Sequence, residues 1–238
     1  AVAHMGKVAL TNFERGYRQL MDYKPENDQI IDRDEDCLDQ FADAADKFLI
    51  GLSKVIENES DDRQLNMLMQ TVPNFERIGD YATNFVELAQ RLESENAQFS
   101  DTAKKELSII GDAVREILQI TVDAYTTDDL ETIKSVEPLE EVIDDMVMIL
   151  RDRHTKRLRN GVCSVNSGLV FMETLTYMER ASDQCSSIAV MMLARNNEAI
   201  LHNHYDYLRE IHAGNDDAYR FEMERRRLQY VVPLKAIK

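Results

Sequence analysis

Four pairs of carboxylates are the residues of this 238-residue chain whose spacing is best suited to chemistry. In each pair a glutamate is followed four positions later by an aspartate, and on a helix this spacing places both side chains on one face, about 40° apart. Carboxylate oxygens are the ligands that hard cations such as Mg²⁺, Mn²⁺ and iron prefer. The pairs are Glu35 with Asp39, Glu76 with Asp80, Glu140 with Asp144, and Glu179 with Asp183.

These pairs recur at a nearly constant interval along the chain. The segment 75–80, FERIGD, returns 103 residues later as 178–183, MERASD. The pair that begins at Glu35 returns 105 residues later at Glu140. Because both the motif and its distance to the upstream pair recur, the chain is predicted to contain a duplicated unit of three helices.

Helices are predicted throughout the chain. Glycine and proline are scarce, with eight and four residues, which disfavours sandwiches, barrels and doubly wound folds. Long stretches without either carry apolar residues three and four positions apart. The predicted helices are 1–22, 29–57, a third that follows the polar loop 58–62 and ends near 95 with a kink at Pro73, 100–125, 126–158 with Pro138 in its interior, 164–195, 205–211 and 218–231. The fold class is therefore all-α: two tandem antiparallel three-helix bundles, residues 1–98 and 99–198, with a C-terminal helical extension, residues 199–238.

Antiparallel hairpins would bring the acidic pairs of each unit together. The two pairs of the first unit are centred on the edge of the polar loop 58–62, and those of the second unit on the break at Asn160-Gly161. Residues equidistant from a short turn lie at equal height on neighbouring helices. Four carboxylates are therefore expected to gather on one outer face, once in each unit.

The apolar residues of these helices are predicted to lie opposite the carboxylates. With the glutamate of each pair at 0°, they cluster between about 180° and 260° at 100° per residue. They are Cys37, Phe41, Ala44 and Phe48; Phe75, Ile78, Ala82, Phe85 and Ala89; Leu139, Val142, Met146 and Ile149; and Met178, Ala181, Cys185, Ile188 and Met192. The carboxylates are accordingly predicted on the open side of each bundle.

Two interpretations of the acidic faces stay open on the residues alone. Four converging carboxylates repel one another, so a bound cation would stabilise them. Alternatively, they are two solvated acidic faces that pair weakly with Arg77 and Arg180. The formal net charge of −16 favours cations as ligands and disfavours nucleic acid as a partner.

The same residues resemble a known family. Segment 76–84, ERIGDYATN, closely resembles the signature of PhoU proteins, which are phosphate-signalling regulators, and duplicated three-helix units with paired acidic motifs are typical of that family. Segments 153–163 and 204–208 resemble more closely the cytoplasmic PhoU-like domain that follows the membrane part of bacterial sodium/phosphate cotransporters. The resemblance covers nearly the whole chain.

The resemblance implies metal clusters of iron, zinc, magnesium or manganese at the acidic motifs. It predicts one metal site at Glu35, Asp39, Glu76 and Asp80 and another at Glu140, Asp144, Glu179 and Asp183, with Asn84, Arg77 and Arg180 as auxiliary residues. Gly79 and Asn84 are replaced by Ser182 and Ser187 in the second unit, so the second site is expected to be the weaker one.

The function that the resemblance implies is a non-catalytic, metal-binding regulatory domain of a sodium-dependent phosphate transporter. Its expected partner is the transmembrane part of that cotransporter, in the same polypeptide. Its expected location is the cytoplasm, tethered to the inner face of the cell membrane, and a homo-oligomer is a further candidate assembly. The start of the chain without an initiator methionine favours this interpretation.

Two other functions are weighed against this one. The first is a free-standing PhoU-type regulator of phosphate transport and signalling. The second, a remote alternative, is a ferritin-like di-iron enzyme, which needs Glu-x-x-His motifs that this sequence lacks.

Two tail motifs are interpreted as surface features. His202 and His204 would point about 200° apart on a helix, so exposed histidines are favoured over metal ligands. The run Arg225–Arg227 has several acids nearby, which favours a solvated face over contact with a membrane.

Overall fold

The computed structural model describes residues 1–197, 200–201, 203–213 and 216–237, and within these ranges the chain is helical, with no strand. The all-α prediction is thereby confirmed. The helices are α1 (Val2–Met21), α2 (Asp28–Ser53), α3 (Glu59–Ser94), α4 (Asp101–Thr127), α5 (Leu130–Ile133), α6 (Val136–Arg159), α7 (Val165–Ala194), α8 (His204–His212), α9 (Asp217–Arg226) and α10 (Val232–Ala236), with a π-helical turn at Arg227–Val231. No described helix is both long enough and apolar enough to cross a membrane.

Local sequence explains where the long helices begin and end. The side chains of Asn58, Ser100 and Ser164 each accept a hydrogen bond from the backbone N–H three residues ahead, which satisfies a free donor at the start of α3, α4 and α7. Asp128 adopts the left-handed conformation, with φ of 56°, and ends α4. Gly161, with φ of 66°, turns the chain between α6 and α7, at the predicted break.

Two three-helix bundles pack side by side. The first consists of α1, α2 and α3, and the second of α4, α6 and α7. Because α3 lies against α7 and α1 against α4, one apolar core runs through both bundles. Met5, Ala9 and Phe13 of α1 are buried in it, as their spacing predicts. Tyr17 Oη donates a hydrogen bond of 2.7 Å to the Leu107 carbonyl and links α1 to α4.

Three of the four apolar residues predicted to be buried on α2 lie outward instead, whereas Phe41 is partly buried against the core. Cys37 and Ala44 are exposed, and Phe48 keeps 67% of its surface accessible. The buried residues of α2 lie roughly 100° further round the helix. They are Ile31, Leu38 and Leu49. The carboxylates of α2 therefore border its packed face rather than lie opposite to it, and this turns them toward α3.

The region predicted as a single helix from 126 to 158 contains two helices. α5 is a single turn, capped by the Asp129 carboxylate, which accepts hydrogen bonds from the N–H groups of Glu131 and Thr132. α6 begins at Val136, so Pro138 lies in its first turn, where the missing N–H leaves no helical bond unmade. The prediction of an interior proline is wrong for this helix, whereas α3 does continue through Pro73.

The C-terminal segment packs on the second bundle. Tyr230, Val231 and Leu234 are buried and belong to the main core. The π-helical turn contacts both α4 and α6, and so lies along the groove between them. Arg153 of α6 holds the end of this segment, because its guanidinium donates to the carbonyls of Leu234 at 2.9 Å and Lys235 at 3.2 Å.

The arginine run at the end of α9 is only partly the solvated face that its acidic surroundings predict: Arg225 is exposed and pairs with Glu222 of its own helix, but the next two arginines are not. Arg226 is buried and pairs with Glu116 of α4. Arg227 pairs with Asp145 of α6 at 2.6 Å. These acids lie on helices that are distant in sequence, so the sequence around residues 225–227 contains no sign of them.

Gly16 lets α1 cross α3 at close range, because a Cβ at this position would lie 2.4 Å from the Cα of Ala82. The obstacle is backbone, so we expect Gly16→Ala to lower the free energy of unfolding by about 1–3 kcal/mol. Gly51 is the control, since nothing lies within 4 Å of an added Cβ. Gly51→Ala should leave that free energy unchanged or raise it by up to about 1 kcal/mol. Urea unfolding measures the free energy of unfolding of both variants. Equal changes in the two variants would show that the close α1–α3 contact does not require a glycine at position 16.

Candidate metal centres

The first carboxylate cluster lies between α2 and α3. Glu35, Asp39 and Asp80 each offer one oxygen, and these three oxygens lie within 4.8 Å of one another. Ligands around one cation have this spacing. Glu76, one turn before Asp80 on α3, is close enough to help raise the Asp80 pKa. The structure thus groups three of the four predicted ligands and places the fourth beside them.

A close contact between α2 and α3 sets the height of this cluster. Leu38 packs against Gly79, where a Cβ would lie only 2.2 Å from Leu38 Cδ1. Leu38 directly precedes Asp39, and Gly79 directly precedes Asp80. The contact that fixes the two helices therefore also brings the two aspartates together.

The second cluster, between α6 and α7, repeats the arrangement. One oxygen each from Glu140, Asp144 and Asp183 lie within 4.8 Å of one another. Glu179, the fourth predicted ligand, is held by Arg151, whose Nη2 lies 2.7 Å from Oε2 and whose Nη1 lies 3.3 Å from Oε1. Sequence analysis did not select Arg151, because a residue 28 positions away offers no local signal of this pairing.

The serines that distinguish the second unit do not occupy the carboxylate oxygens of that cluster. Ser182 is fully buried, and its hydroxyl donates to the Glu179 carbonyl of its own helix. Ser187 is exposed. The expectation that the second site is the weaker one stays a prediction.

Burial and like charges make these carboxyl groups hard to ionise. Burial, followed by the charges of its cluster neighbours, raises the pKa of Asp80 to about 7. The same two causes raise the pKa of Asp144 to about 6 and that of Glu140 to about 9. The pKa values of Glu35, Glu76 and Asp183 are raised as well, with burial as the main cause. Each cluster therefore carries an electrostatic strain that added positive charge would relieve.

The predicted auxiliary residues do not supply that charge. Arg77 and Arg180 are exposed. Arg77 acts to lower the pKa of Asp80, and Arg180 that of Asp183, but burial and the neighbouring carboxylates outweigh both. Asn84 lies one turn beyond Asp80 on α3 and is partly buried, next to the cluster but outside its three grouped carboxylates.

The grouped carboxylates fit a bound cation. Asp80 and Asp144 each keep a buried Oδ1 that has no hydrogen-bond partner among the described residues. A buried polar atom without a partner is costly, and a cation would satisfy it without requiring a proton. A donor set made only of carboxylates suits Mg²⁺, Mn²⁺ or iron better than zinc, whose structural sites are rich in nitrogen and sulfur.

The tail adds a histidine beside the second cluster that sequence analysis did not select. His212 of α8 lies between two acids of α6, with Nε2 at 2.9 Å from Glu137 and Nδ1 at 3.2 Å from Glu141. Tyr219 of α9 is buried nearby, and burial together with these acids raises its pKa. His212 and Tyr219 reach the second cluster only through the tertiary packing of the tail, which the sequence pattern does not predict. The predicted HxH pair lies elsewhere: His202 and the side chain of His204 are outside the described residues.

The fold and the clusters together define a class of protein, a duplicated three-helix bundle with a carboxylate cluster in each half. The family profile of the PhoU domain matches residues 2–89 and 107–192, one segment in each bundle. The chain therefore belongs to the PhoU family, and the resemblance of its sequence to that family is confirmed. The closer resemblance to the cotransporter domain stays a prediction.

Two relatives that carry the family name align with a large part of the chain. The phosphate-specific transport system accessory protein PhoU homolog 1 of Thermotoga maritima is 23% identical over 160 residues, which is 66% of this chain and 65% of the relative. The PhoU homolog of Clostridium acetobutylicum is 23% identical over 140 residues, 59% of this chain and 62% of the relative. The alignments thus span slightly less than two thirds of either relative.

Two solved structures share the fold. PhoU from Pseudomonas aeruginosa superposes with a TM-score of 0.74 at 21% identity, covering 82% of this chain and 92% of that one. The phosphate transport system regulatory protein PhoU from Streptococcus pneumoniae gives a TM-score of 0.73 at 17% identity, covering 83% and 92%. At these identities the likeness establishes the fold.

The raised pKa values predict how pH changes the stability of the metal-free protein. An aspartate has a pKa of about 3.9 in an unfolded chain, so between about pH 4 and 7 folded Asp80 keeps a proton that the unfolded chain releases. Its contribution to stability therefore falls as pH rises through this window, and the loss is complete above the folded pKa. Asp144 behaves alike over a narrower window.

We therefore compare the double variant Asp80→Asn, Asp144→Asn with the wild type in a chelator. The melting temperature of the variant minus that of the wild type should increase as the pH rises from 5.5 to 8. The difference between the two proteins isolates these groups from all others that titrate. A constant difference across this range would contradict the raised pKa values.

Proposed function

We propose that this chain is a PhoU-type regulator of phosphate transport that binds metal ions at its two carboxylate clusters and acts through binding rather than catalysis. The observation that carries the proposal is the same in both halves of a PhoU-family fold. In the part of the chain that the structure describes, three carboxylates converge in each half, and one buried oxygen, on Asp80 or on Asp144, has no hydrogen-bond partner.

The names of the relatives support the regulatory role. Two are accessory proteins of a phosphate-specific transport system, and one is a regulatory protein of phosphate transport. These names favour a free-standing regulator. The other candidate, a domain of a sodium/phosphate cotransporter, is supported by the resemblance of segments 153–163 and 204–208 to such domains. For both candidates we propose that the partner is a phosphate transporter, met at the cytoplasmic face of the membrane.

A shared cation would couple the helices of each hairpin. Glu35 and Asp39 belong to α2 and Asp80 to α3, so a cation bound by all three would bridge the two helices beside the Leu38–Gly79 contact. It would also remove the repulsion that raises these pKa values. Occupancy of the cluster is then a means by which metal could set the rigidity of the α2–α3 hairpin.

Metal binding is tested by thermal unfolding with and without a divalent cation. A cation that binds only the folded state raises stability by RT ln(1 + [L]/Kd), about 2.7 kcal/mol at 100 times Kd. The wild type should melt at a higher temperature with Mg²⁺, Mn²⁺ or Fe²⁺ than in a chelator. Asp39→Asn with Asp80→Asn should remove the part of this increase that belongs to the first cluster. In the chelator this variant should be at least as stable as the wild type.

The control variant is Asp43→Asn with Asp152→Asn. Both residues are exposed acids paired with a lysine four positions later, one on α2 and one on α6, and neither belongs to a cluster. The control should keep the full metal response. If it loses as much as the cluster variant, the response reports net charge, and the metal assignment is wrong.

The regulatory role is tested in the host cell. Deleting the gene should change uptake of radiolabelled phosphate, and the wild-type gene should restore it. Restoration should fail with a gene that changes Asp39, Asp80, Asp144 and Asp183 to Asn, because this variant keeps the side-chain shapes but removes ligand charge from both clusters. The Asp43→Asn, Asp152→Asn variant should restore uptake. Unchanged uptake after deletion would contradict the proposal, and a change confined to sodium-dependent uptake would favour the cotransporter.

A further inference from the structure

The two repeats differ in what covers the outer face of their second helix. On α6, Val142 and Met146 are fully buried, and Arg153, two turns beyond Met146 on the same side, binds the carbonyls of the C-terminal segment. That segment contributes Tyr230, Val231 and Leu234 to the core and lies along the groove between α4 and α6. The second bundle thus has a fourth helical element, supplied by the chain itself.

The first bundle has the equivalent groove without the fourth element. At the 105-residue offset between the repeats, Val142, Met146, Ile149 and Arg153 correspond to Cys37, Phe41, Ala44 and Phe48 of α2. Cys37 and Ala44 are exposed, and Phe48 is 67% exposed. Val55, two turns beyond Phe48, is 70% exposed and continues the stripe past the end of α2. Within the described part of the chain, no segment packs over this stripe.

The charge around the stripe points to the chemistry of its occupant. α2 carries eight acids and two basic residues, and the acids Asp32, Asp36, Asp43 and Asp46 are exposed. The segment that completes the second bundle, residues 227–236, contains two basic residues, Arg227 and Lys235, and no acid. A second copy of the chain meeting this face with its own α2 would place two strongly acidic helices together. An anionic lipid surface would meet the same repulsion.

We propose that the exposed stripe Cys37, Ala44, Phe48 and Val55, bordered by the partly buried Phe41, is a docking groove for an amphipathic helix of a partner protein, with apolar residues on one side and Lys or Arg beside them. The helix would complete the first bundle as residues 227–236 complete the second. The stripe lies on the side of α2 roughly opposite Glu35 and Asp39. The inference is therefore independent of whether the carboxylate clusters bind metal.

The experiment places a photo-crosslinking amino acid, p-benzoylphenylalanine, at position 48 of the full chain in its host cell. The same residue at position 221 is the control, because Phe221 is equally solvent-accessible, at 74%, but lies on α9 away from the stripe. We expect a partner adduct from position 48 that is missing from position 221. Mass spectrometry should map the crosslink to a segment with apolar residues at helical spacing and an excess of Lys and Arg.

A synthetic peptide of the mapped segment then tests the contact with purified proteins. It should bind the wild type and Phe221→Asp equally, bind Phe48→Asp at least tenfold more weakly, and bind less tightly as salt is raised. Ala44→Asp should weaken binding in the same way. Both stripe variants should keep the wild-type melting temperature, because these side chains make few contacts within the chain.

Four results would overturn the proposal. They are a crosslink from position 48 to a second copy of the chain or to lipid, the same products from positions 48 and 221, no adduct at all, and peptide binding that does not respond to Phe48→Asp. The variant with Asn at positions 39, 80, 144 and 183, which removes charge from both carboxylate clusters, should still bind the peptide. Failure of the metal proposal and failure of this one are therefore distinguishable.

Discussion

The contact of Leu38 with Gly79 is the constraint on which the first cluster depends. Because α2 and α3 cannot separate here without leaving a cavity beside Leu38, the aspartates that follow these two residues are held together despite their charge. The apolar core shared by both bundles offsets that repulsion. Exposed like charges one turn apart cost only a few tenths of a kcal/mol, but partial burial makes ionised Asp80 more costly and therefore suited to a cation.

The second cluster reaches the same grouping of three carboxylates in different surroundings. Ser182 replaces the glycine, and Ile143, which is buried, stands at the position of Leu38. Burial and the charge of the further acid Glu137 raise the pKa of Glu140 to about 9, further than the pKa of Asp80 or Asp144. The tail adds His212 at this end, whereas Asp39 in the first cluster is exposed. Duplication has thus preserved the three grouped carboxylates, whereas the residues around them have diverged.

Much of this architecture could be predicted from the sequence because its signals are local. Helix periodicity and the break at Asn160-Gly161 depend on neighbouring residues, and the hairpin register follows from residue numbers. The same register predicts that Glu35, Asp39 and Asp80 meet. The pairing of Glu179 with Arg151 could not be predicted in this way, because which of several arginines reaches a given glutamate depends on how helices rotate on packing.

The error on α2 has a specific physical cause. The helix carries apolar residues on two faces, one with Ile31, Leu38 and Leu49 and one with Cys37, Ala44 and Phe48, and periodicity cannot tell which face meets the core. Small Gly79 decides the matter, since it admits Leu38 and so rotates the other face outward. The tail packs along α6, where Arg153 binds the carbonyl of Leu234, and no feature near residues 139–149 predicts this packing.

A groove filled by a segment of the same chain and a groove left for another molecule obey different equilibria. In the second bundle, residues 227–236 are tethered to the helices that they cover, so their effective concentration is high at any protein concentration and the groove stays filled. In the first bundle, the cover must come from another molecule, so its contribution to stability follows RT ln(1 + [L]/Kd) and changes with the amount of partner. The two repeats of this chain can therefore have different roles. One forms a permanently closed bundle, and the other presents an apolar face whose occupancy can vary with the composition of the cell.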